Sequence, residues 1–248
     1  DIRGTFPDFE PVVLERVEIL SLIEQFQFNF LDDSRWQFIV SGLKNTIIIT
    51  FFAVLLGVFL GFLIAIVRST HDKTGKLKIL NVICRVYLTV IRGTPTMVQL
   101  LIVYYVIFAT VDPGKVIVAI IAFGMNSAAY VAEIVRSGIM SIDQGQFEAG
   151  RSLGLNYTQT MTKIILPQAV KNILPALGNE MIVLLKETSI SGYIGLTDLT
   201  RGGDIIRSQT YSALFPLLAV AAIYLVIVCF LTYLVGRLER RLRNNERK

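Results

Sequence analysis

The apolar positions of this sequence gather into long blocks separated by shorter polar segments. A helix needs about 20 mostly apolar residues to cross a hydrocarbon core of about 30 Å. The first block, 45–67, is interrupted only by Gly57 and Gly61. Their spacing of four lets a neighbouring helix approach closely. The second, 77–109, carries Arg85 and the run Arg92-Gly93-Thr94-Pro95. It is expected to form one long helix kinked near Pro95, where proline removes a backbone donor and crowds the preceding turn. A turn at Asp112-Pro113-Gly114 leads to the third block, 116–135, and the fourth follows at 164–185. Pro167, Pro175 and Gly178 predict that the fourth is broken or bent. Residues 186–208 read as a polar return to the fifth block, 211–235. The pattern predicts an all-α membrane protein with five transmembrane helices.

Charge orients these helices. Lysine and arginine concentrate after the first block (Arg68, Lys73, Lys76, Lys78), in the hydrophilic segment 136–163, and in the tail 237–248. With five spans all three places fall on one side, which the positive-inside rule makes cytoplasmic. The N-terminus and the Asp112 turn then lie outside, and the C-terminus lies in the cytoplasm. The acidic character of residues 1–35 agrees, and Trp36 stands where an interfacial aromatic belongs. Residues 12–30 read either as an amphipathic helix on the membrane surface or as a linker. The expected division is an external segment or linker, 1–38, and a transmembrane domain, 39–248. The sequence starts at Asp1 without the charged start and apolar run of a signal peptide. A linker from a binding domain fused upstream and a trimmed terminus both fit that start.

Composition removes several function classes. The chain is 53% hydrophobic and 17% charged, with a mean hydropathy of +0.60, unlike a soluble domain of its length. The net charge of +5 sits in loops and the tail, which points to membrane orientation and away from nucleic acid. Cys84 and Cys229 lie far apart in apolar stretches, so neither a disulfide nor a metal site is expected. His71, the only histidine, sits in a basic loop and reads as solvated. No Ser-His-Asp, Cys-His or metal-ligand set lies near the spans, so no catalytic residue and no metal are expected. The chain also lacks a G-x-x-x-x-G-K-[ST] loop: Gly75-Lys76 and Gly114-Lys115 have neither the earlier glycine nor the following hydroxyl. ATP and Mg²⁺ are therefore expected on a separate polypeptide, with no cofactor in this chain.

The segment after the third block carries the most specific signal. It contains Glu148-Ala149-Gly150, then Gly154-Leu155, then Ile164, Leu166 and Pro167. This spacing resembles the EAA loop of ATP-binding-cassette importer permeases: Glu-Ala-Ala, three residues, Gly, nine residues, Ile, one residue, Leu-Pro. Gly150 stands where alanine is usual, a departure between two small residues. Arg92-Gly-Thr-Pro-Thr-Met97-Val-Gln99 is similar to an element of the polar amino-acid permeases, the histidine/glutamine branch. Tyr130-Val-Ala-Glu133-Ile-Val-Arg136-Ser-Gly138 and Leu185-Lys-Glu187-Thr188-Ser189 also fit that branch, though aspartate more often precedes Thr-Ser in it. The likeness runs from about residue 40 to the end. It implies a type I importer permease (MetI-like) fold in the bacterial cytoplasmic membrane, with the loop at about 137–167 on the cytoplasmic face. It further implies docking of an ATP-binding-cassette ATPase on Glu148, Ala149, Gly150, Gly154 and Leu155. An external amino-acid-binding protein and a second permease copy, identical or a sister chain, complete the implied assembly.

Ionisable and polar residues inside spans are costly and face a cavity or one another. Thr94, Met97, Gln99, Asn126, Ser127, Glu133, Glu187 and Thr188 are the substrate-pathway candidates, with Arg92, Arg136 and Lys186 beside them. Other readings stay open: Glu133 and Arg136 as a stabilising ion pair, Lys186-Glu187 at the outer surface, and Gly93-Thr94-Pro95 as a kink alone. A secondary transporter or channel without an ATPase is the alternative function. It predicts repeated halves, which this sequence does not display.

Overall fold

The computed structural model describes residues 22–244, all of them helix, turn or short connection. Residues 12–21 of the proposed surface helix lie outside the described residues. Its remainder forms α1 (Leu22–Phe26) and a wide turn, Gln27–Leu31, that buries Asn29 and Phe30. Helix α2 (Trp36–Thr74) is longer than the first apolar block and keeps its helical form through the basic residues beyond it. It stops at Gly75, whose positive φ of 65° turns the chain while its N–H caps the carbonyl of His71. The His71 ring is not freely solvated: it is half-buried, with Nδ1 2.9 Å from the Lys76 carbonyl.

The second block departs from the single kinked helix expected. It forms α3 (Lys78–Gly93) and α4 (Thr96–Ile102), the latter prolonged by a wide turn, Val103–Ile107, and the two are bent by 113°. Pro95 forces Thr94 into an extended conformation (φ −123°, ψ 148°), because the residue before a proline is excluded from helical geometry. Helix α5 (Lys115–Met140) follows and is the most buried of the long helices. Its small residues Ala119, Ala122, Ala128, Ala129 and Ala132 let neighbours close in on several sides. Against it lies the glycine face of α2. A Cβ at Gly57 would come 2.8 Å from the side chain of Ser127, and one at Gly61 would come 2.6 Å from that of Val131. The four-residue glycine spacing thus does what it predicts.

After α5 come α6 (Gln144–Ser152) and α7 (Tyr157–Thr160), the latter continuing through a wide turn, Met161–Ile165, into α8 (Leu166–Glu187). Of the expected break or bend, the break is absent: helix α8 is continuous from Leu166 to Glu187. Pro167 sits in its first turn, where no backbone donor is needed, and Pro175 is buried inside the helix. Gly178 is a contact point: a Cβ there would lie 2.6 Å from Val235. The expected polar return is also folded. It forms a 3₁₀ segment, Thr188–Ile194, and α9 (Leu199–Thr210), ahead of α10 (Leu214–Asn244). Helix α9 buries Leu199 and Ile206, and a Cβ at Gly202 would collide with the carbonyl of Phe38 on α2.

Among the described residues three helices, α2, α5 and α10, are long and apolar enough to cross a membrane, and α3 with α4 makes a fourth if the bent pair is one span. The main core joins Ile49 and Ala53 of α2, Leu100 of α4, Phe123 of α5 and Leu184 of α8. Outward faces of α2, α3 and α10 expose large apolar side chains, among them Phe51, Phe59, Ile83, Leu225 and Phe230. Such continuous apolar cover suits hydrocarbon and not water. Cys84 and Cys229 are both free thiols.

Candidate coupling loop and polar groove

The α6–α7 segment is a hairpin fixed by local chemistry. Asp143 caps α6 by accepting from the N–H of Gly145 at 2.6 Å. At the other end Gly154 takes a φ of 75°, its N–H reaching Arg151 O, while Leu155 N–H reaches Gly150 O at 3.1 Å. Only glycine adopts that conformation cheaply, so the turn falls where the sequence puts it. Asn156 and Gln159 then exchange side-chain-to-backbone hydrogen bonds, both 2.9 Å, as a capping box for α7. Gly150 is buried, and a Cβ on it would meet Thr160 Cγ2 at 2.6 Å. Glycine and alanine are therefore not interchangeable here: Thr160, itself 2% exposed, occupies the space an alanine methyl needs. The hairpin leaves Glu148, Ala149, Leu153 and Gly154 exposed and Leu155 half-buried. A groove of about 480 Å³ between the two short helices is lined by Phe147, Glu148, Arg151, Tyr157 and Thr160.

A second, polar groove of about 580 Å³ runs between α5 and α8, lined by Arg92, Tyr130, Glu133, Ser137, Asn179 and Glu180, among others. Ser127 donates to Glu180 Oε1 at 2.9 Å across the two helices. Glu133 is a hub. It accepts from Arg136, and the guanidinium groups of Arg92 and Arg68 stand 3.6 and 3.9 Å away. The expected Glu133–Arg136 pair is present, and two further arginines join it. Arg92 also lies 6.0 Å over the ring of Tyr130. A neighbouring groove of about 540 Å³, sharing Arg92 and Glu133, adds Arg85. The arrangement offers guanidinium donors for a carboxylate and carboxylates for an ammonium group within one cleft.

Several predicted pathway residues instead hold the backbone together. Gln99 Nε2 donates to Ile91 O at 2.7 Å, Thr94 O at 3.0 Å and Thr94 Oγ1 at 2.9 Å. Those carbonyls are the ones the α3–α4 break deprives of helical partners. Gln99 Oε1 accepts from Asn126 at 2.9 Å, and Asn126 is 1% exposed. Thr94, Gln99 and Asn126 thus clasp the broken span to α5. Met97 is half-buried beside them. Thr188 is fully buried and donates to Leu185 O, while Glu187 is half-buried. Of the candidates, Glu133 lines the cleft and Ser127 reaches it through Glu180. Glu180, Arg68 and Tyr130 were not among the pathway candidates. A carboxylate in the middle of the fourth apolar block was the signal that could have found Glu180. Among the described residues no group of three or more His, Cys, Asp or Glu side chains could hold a metal ion.

This geometry sits in a chain with clear relatives. It is 38% identical over 211 residues to the arginine transport system permease protein ArtQ of Bacillus subtilis, covering 84% of this chain and 94% of that one. It is 36% identical over 208 residues to the glutamine transport system permease protein GlnP of Escherichia coli, covering 83% and 93%. A crystal structure of an amino acid ABC transporter with histidines superposes with a TM-score of 0.78 at 43% identity, covering 86% of this chain and 98% of that chain. A chain of the inward-facing MetNI methionine ABC transporter shares the fold, with a TM-score of 0.70 at 20% identity over 83% and 96% of the two chains. The family model described as binding-protein-dependent transport system inner membrane component covers residues 53–244. The MetI-like permease fold follows the family pattern, and the secondary-transporter reading is set aside: this chain belongs to the inner membrane components of binding-protein-dependent transport systems.

Proposed function

We propose that this chain is the membrane-spanning half of an importer that moves amino acids into a bacterial cell at the expense of ATP hydrolysed by a separate subunit. The α6–α7 hairpin carries the proposal. It is a rigid, exposed turn locked by Gly154 and the Asn156–Gln159 box, and it presents Glu148 and Ala149 to a partner. The ATP-binding-cassette ATPase docks there, on Glu148, Ala149, Gly154 and Leu155, with Gly150 packed beneath them against Thr160, and holds ATP and Mg²⁺. Helix α8 is counted as a fifth span although its charged and amide residues make it less apolar than the others. It is lined up with α5, and its Asn172, Asn179 and Glu180 face the cleft and not lipid. The N-terminus then lies outside with the external segment 1–38, and the arginine-rich end of α10 lies in the cytoplasm. Five spans make half a pathway, so a second copy or a sister chain completes it, and an external binding protein delivers substrate to it. An amino acid passes along the α5–α8 cleft, its carboxylate drawn to Arg92 and its ammonium to Glu180. Arginine and glutamine, which give those two relatives their names, are α-amino acids that share those two groups.

Uptake of radiolabelled amino acids into proteoliposomes holding the permease, its ATPase and ATP tests the reading. Glu148→Lys is expected to abolish uptake and weaken ATPase binding while the permease still assembles in the membrane. Undiminished uptake by that variant would refute the docking assignment.

A further inference from the structure

Lys115 Nζ, at the start of α5, donates to Gly195 O at 3.1 Å, which places the 3₁₀ segment and α9 at that end of the helix. The hairpin α6–α7 follows the other end, 26 residues and about 39 Å away. The remote end contains a buried polar joint that transport and coupling do not use. Asp198 caps α9 and is fully buried. Its Oδ2 accepts from Thr200 N–H at 2.9 Å, but its Oδ1 has no hydrogen-bond partner. Ser191, also fully buried, leaves its Oγ unpartnered as well. Gly192, next to Ser191 in the chain, lies close to the carboxylate: a Cβ added there would stand 3.7 Å from Asp198 Oδ1. An unpaired buried carboxylate oxygen is expensive, and an unpaired buried hydroxyl adds to the cost.

Four elements meet at this point. From α2, Asn45 Nδ2 donates to Thr197 O at 2.8 Å and Thr46 Oγ1 accepts from Leu199 N–H at 3.1 Å. From α10, Tyr224 reaches Thr200, the hydroxyl oxygens being 3.4 Å apart. The 3₁₀ segment brings Thr188 and Ser191, and α9 brings Asp198 itself. The charged and titratable groups around the carboxylate are few. Helix α2 offers only uncharged Asn45 and Thr46. The 3₁₀ segment begins after Glu187 and carries the exposed Tyr193. Lys115 donates to Gly195 O, Arg201 pairs with Asp204 at 2.6 Å, and the Tyr224 hydroxyl lies 3.4 Å from that of Thr200. Among the described residues no cation pairs with Asp198. Its supports are the backbone N–H groups of Thr200 and Arg201 and the Thr200 hydroxyl.

We propose that Asp198 and Ser191 form a buried proton-binding site at the end of the bundle remote from the coupling hairpin. A proton from the solvent on that side binds Asp198 Oδ1 and turns an orphaned acceptor into an O–H donor. The Ser191 hydroxyl, which has no partner of its own, is its acceptor through one water, and the bridge ties α9 to the 3₁₀ segment. Loss of the proton leaves a buried anion with one bare oxygen and loosens the joint between α2, α9 and α10. Burial supports this by lifting the Asp198 carboxyl from 3.8 to about 6, a proton affinity raised about 100-fold. The sign follows from that direction. The folded chain holds the proton more tightly than the unfolded one, so stability rises as pH falls from about 6 towards 4 and the gain is absent above about pH 7.

The test uses the permease assembled with its ATPase. Infrared difference spectra between pH 7.5 and pH 5 are expected to show the carbonyl band of a newly protonated buried carboxyl, and Asp198→Asn is expected to remove it. The melting temperature of the native complex is expected to climb over the same interval, and that of Asp198→Asn to stay flat. Ser191→Ala keeps the carboxyl but removes its acceptor, so its midpoint is expected to move to lower pH. Should Asp198→Asn fail to assemble, the infrared midpoint of Ser191→Ala against the native chain decides. Identical pH profiles for the native chain and Ser191→Ala, or no carboxyl band at pH 5, would overturn the proposal.

Discussion

Replacing Gly150 by alanine moves the coupling segment towards the usual family pattern, yet it is expected to damage this chain. The added methyl carbon would stand 2.6 Å from Thr160 Cγ2, 2.7 Å from Thr160 Oγ1 and 3.2 Å from Thr160 Cβ. Carbon atoms at rest sit about 3.5–4.0 Å apart, so something must move by about 1 Å. Thr160 has little freedom to do so. It is β-branched in a helix, its hydroxyl donates to Asn156 O at 3.1 Å, and Asn156 is itself fixed in the capping box. Overpacking of this kind costs about 1–3 kcal/mol. That cost falls on the α6–α7 hairpin alone, so ATPase binding is expected to weaken about 5- to 150-fold. The assay is titration of the purified ATPase onto the permease in lipid nanodiscs, alongside ATP-driven uptake. Thr160→Ala in the Gly150→Ala background removes the two closest contacts and leaves only the one at 3.2 Å, so most of the affinity is expected to return. A Gly150→Ala chain that binds and transports as well as the native one refutes the reasoning, and so does a double variant no better than the single.

Gln99→Leu strips donors from Ile91 O and Thr94 O and an acceptor from Asn126, a loss of about 2–4 kcal/mol that should lower the melting temperature of the detergent-solubilised permease by about 5–15 °C. Gly61→Val drives a side chain into Val131 and should destabilise the α2–α5 contact by about 1–3 kcal/mol, read as a lower melting temperature with less folded protein recovered from membranes. Glu133→Gln leaves the guanidinium groups of Arg68, Arg92 and Arg136 without their shared carboxylate, and uptake in proteoliposomes should fall at least about tenfold while ATPase binding is retained.

What could be read from the chain alone was local. The four-residue glycine spacing of α2 depends on residues one helical turn apart, so the pattern carries it. The sharpness of the α3–α4 break does not follow from Pro95, because it depends on where the freed carbonyls find donors. Gln99, reaching back to Ile91 and Thr94, supplies them and makes a full break tolerable. Pro175 misled for the opposite reason: in an α8 held against α5 and α10, one missing backbone bond does not end the helix. Helix α9 was hidden by composition. Leu199, Gly202, Gly203, Ile206 and Thr210 form a buried face at helical spacing, but Arg201, Asp204 and Arg207 on the opposite side kept the average polar. Glu180 was missed because its partner Ser127 lies on another span, 53 residues away in sequence.

The coupling hairpin and the polar cleft are joined by short, stiff connections. Helix α5 carries Ser127, Tyr130, Glu133 and Arg136 and passes into α6 through only Ser141, Ile142 and Asp143, the last of which caps α6. On the far side, α7 continues through the Met161–Ile165 turn into α8, which carries Glu180. Asn172 Nδ2 donates to Ser141 Oγ at 2.8 Å, and Ser141 Oγ donates to Gly138 O, so α8 is tied to the end of α5 as well. A force on Glu148 therefore reaches both walls of the cleft at once, with no long flexible linker to absorb it. The link that must change when the walls separate is the Ser127–Glu180 hydrogen bond, since it spans α5 and α8 directly. In the proposed pathway the Ser127 hydroxyl and a substrate ammonium compete for the oxygen atoms of Glu180, which ties occupancy of the cleft to the spacing of its walls.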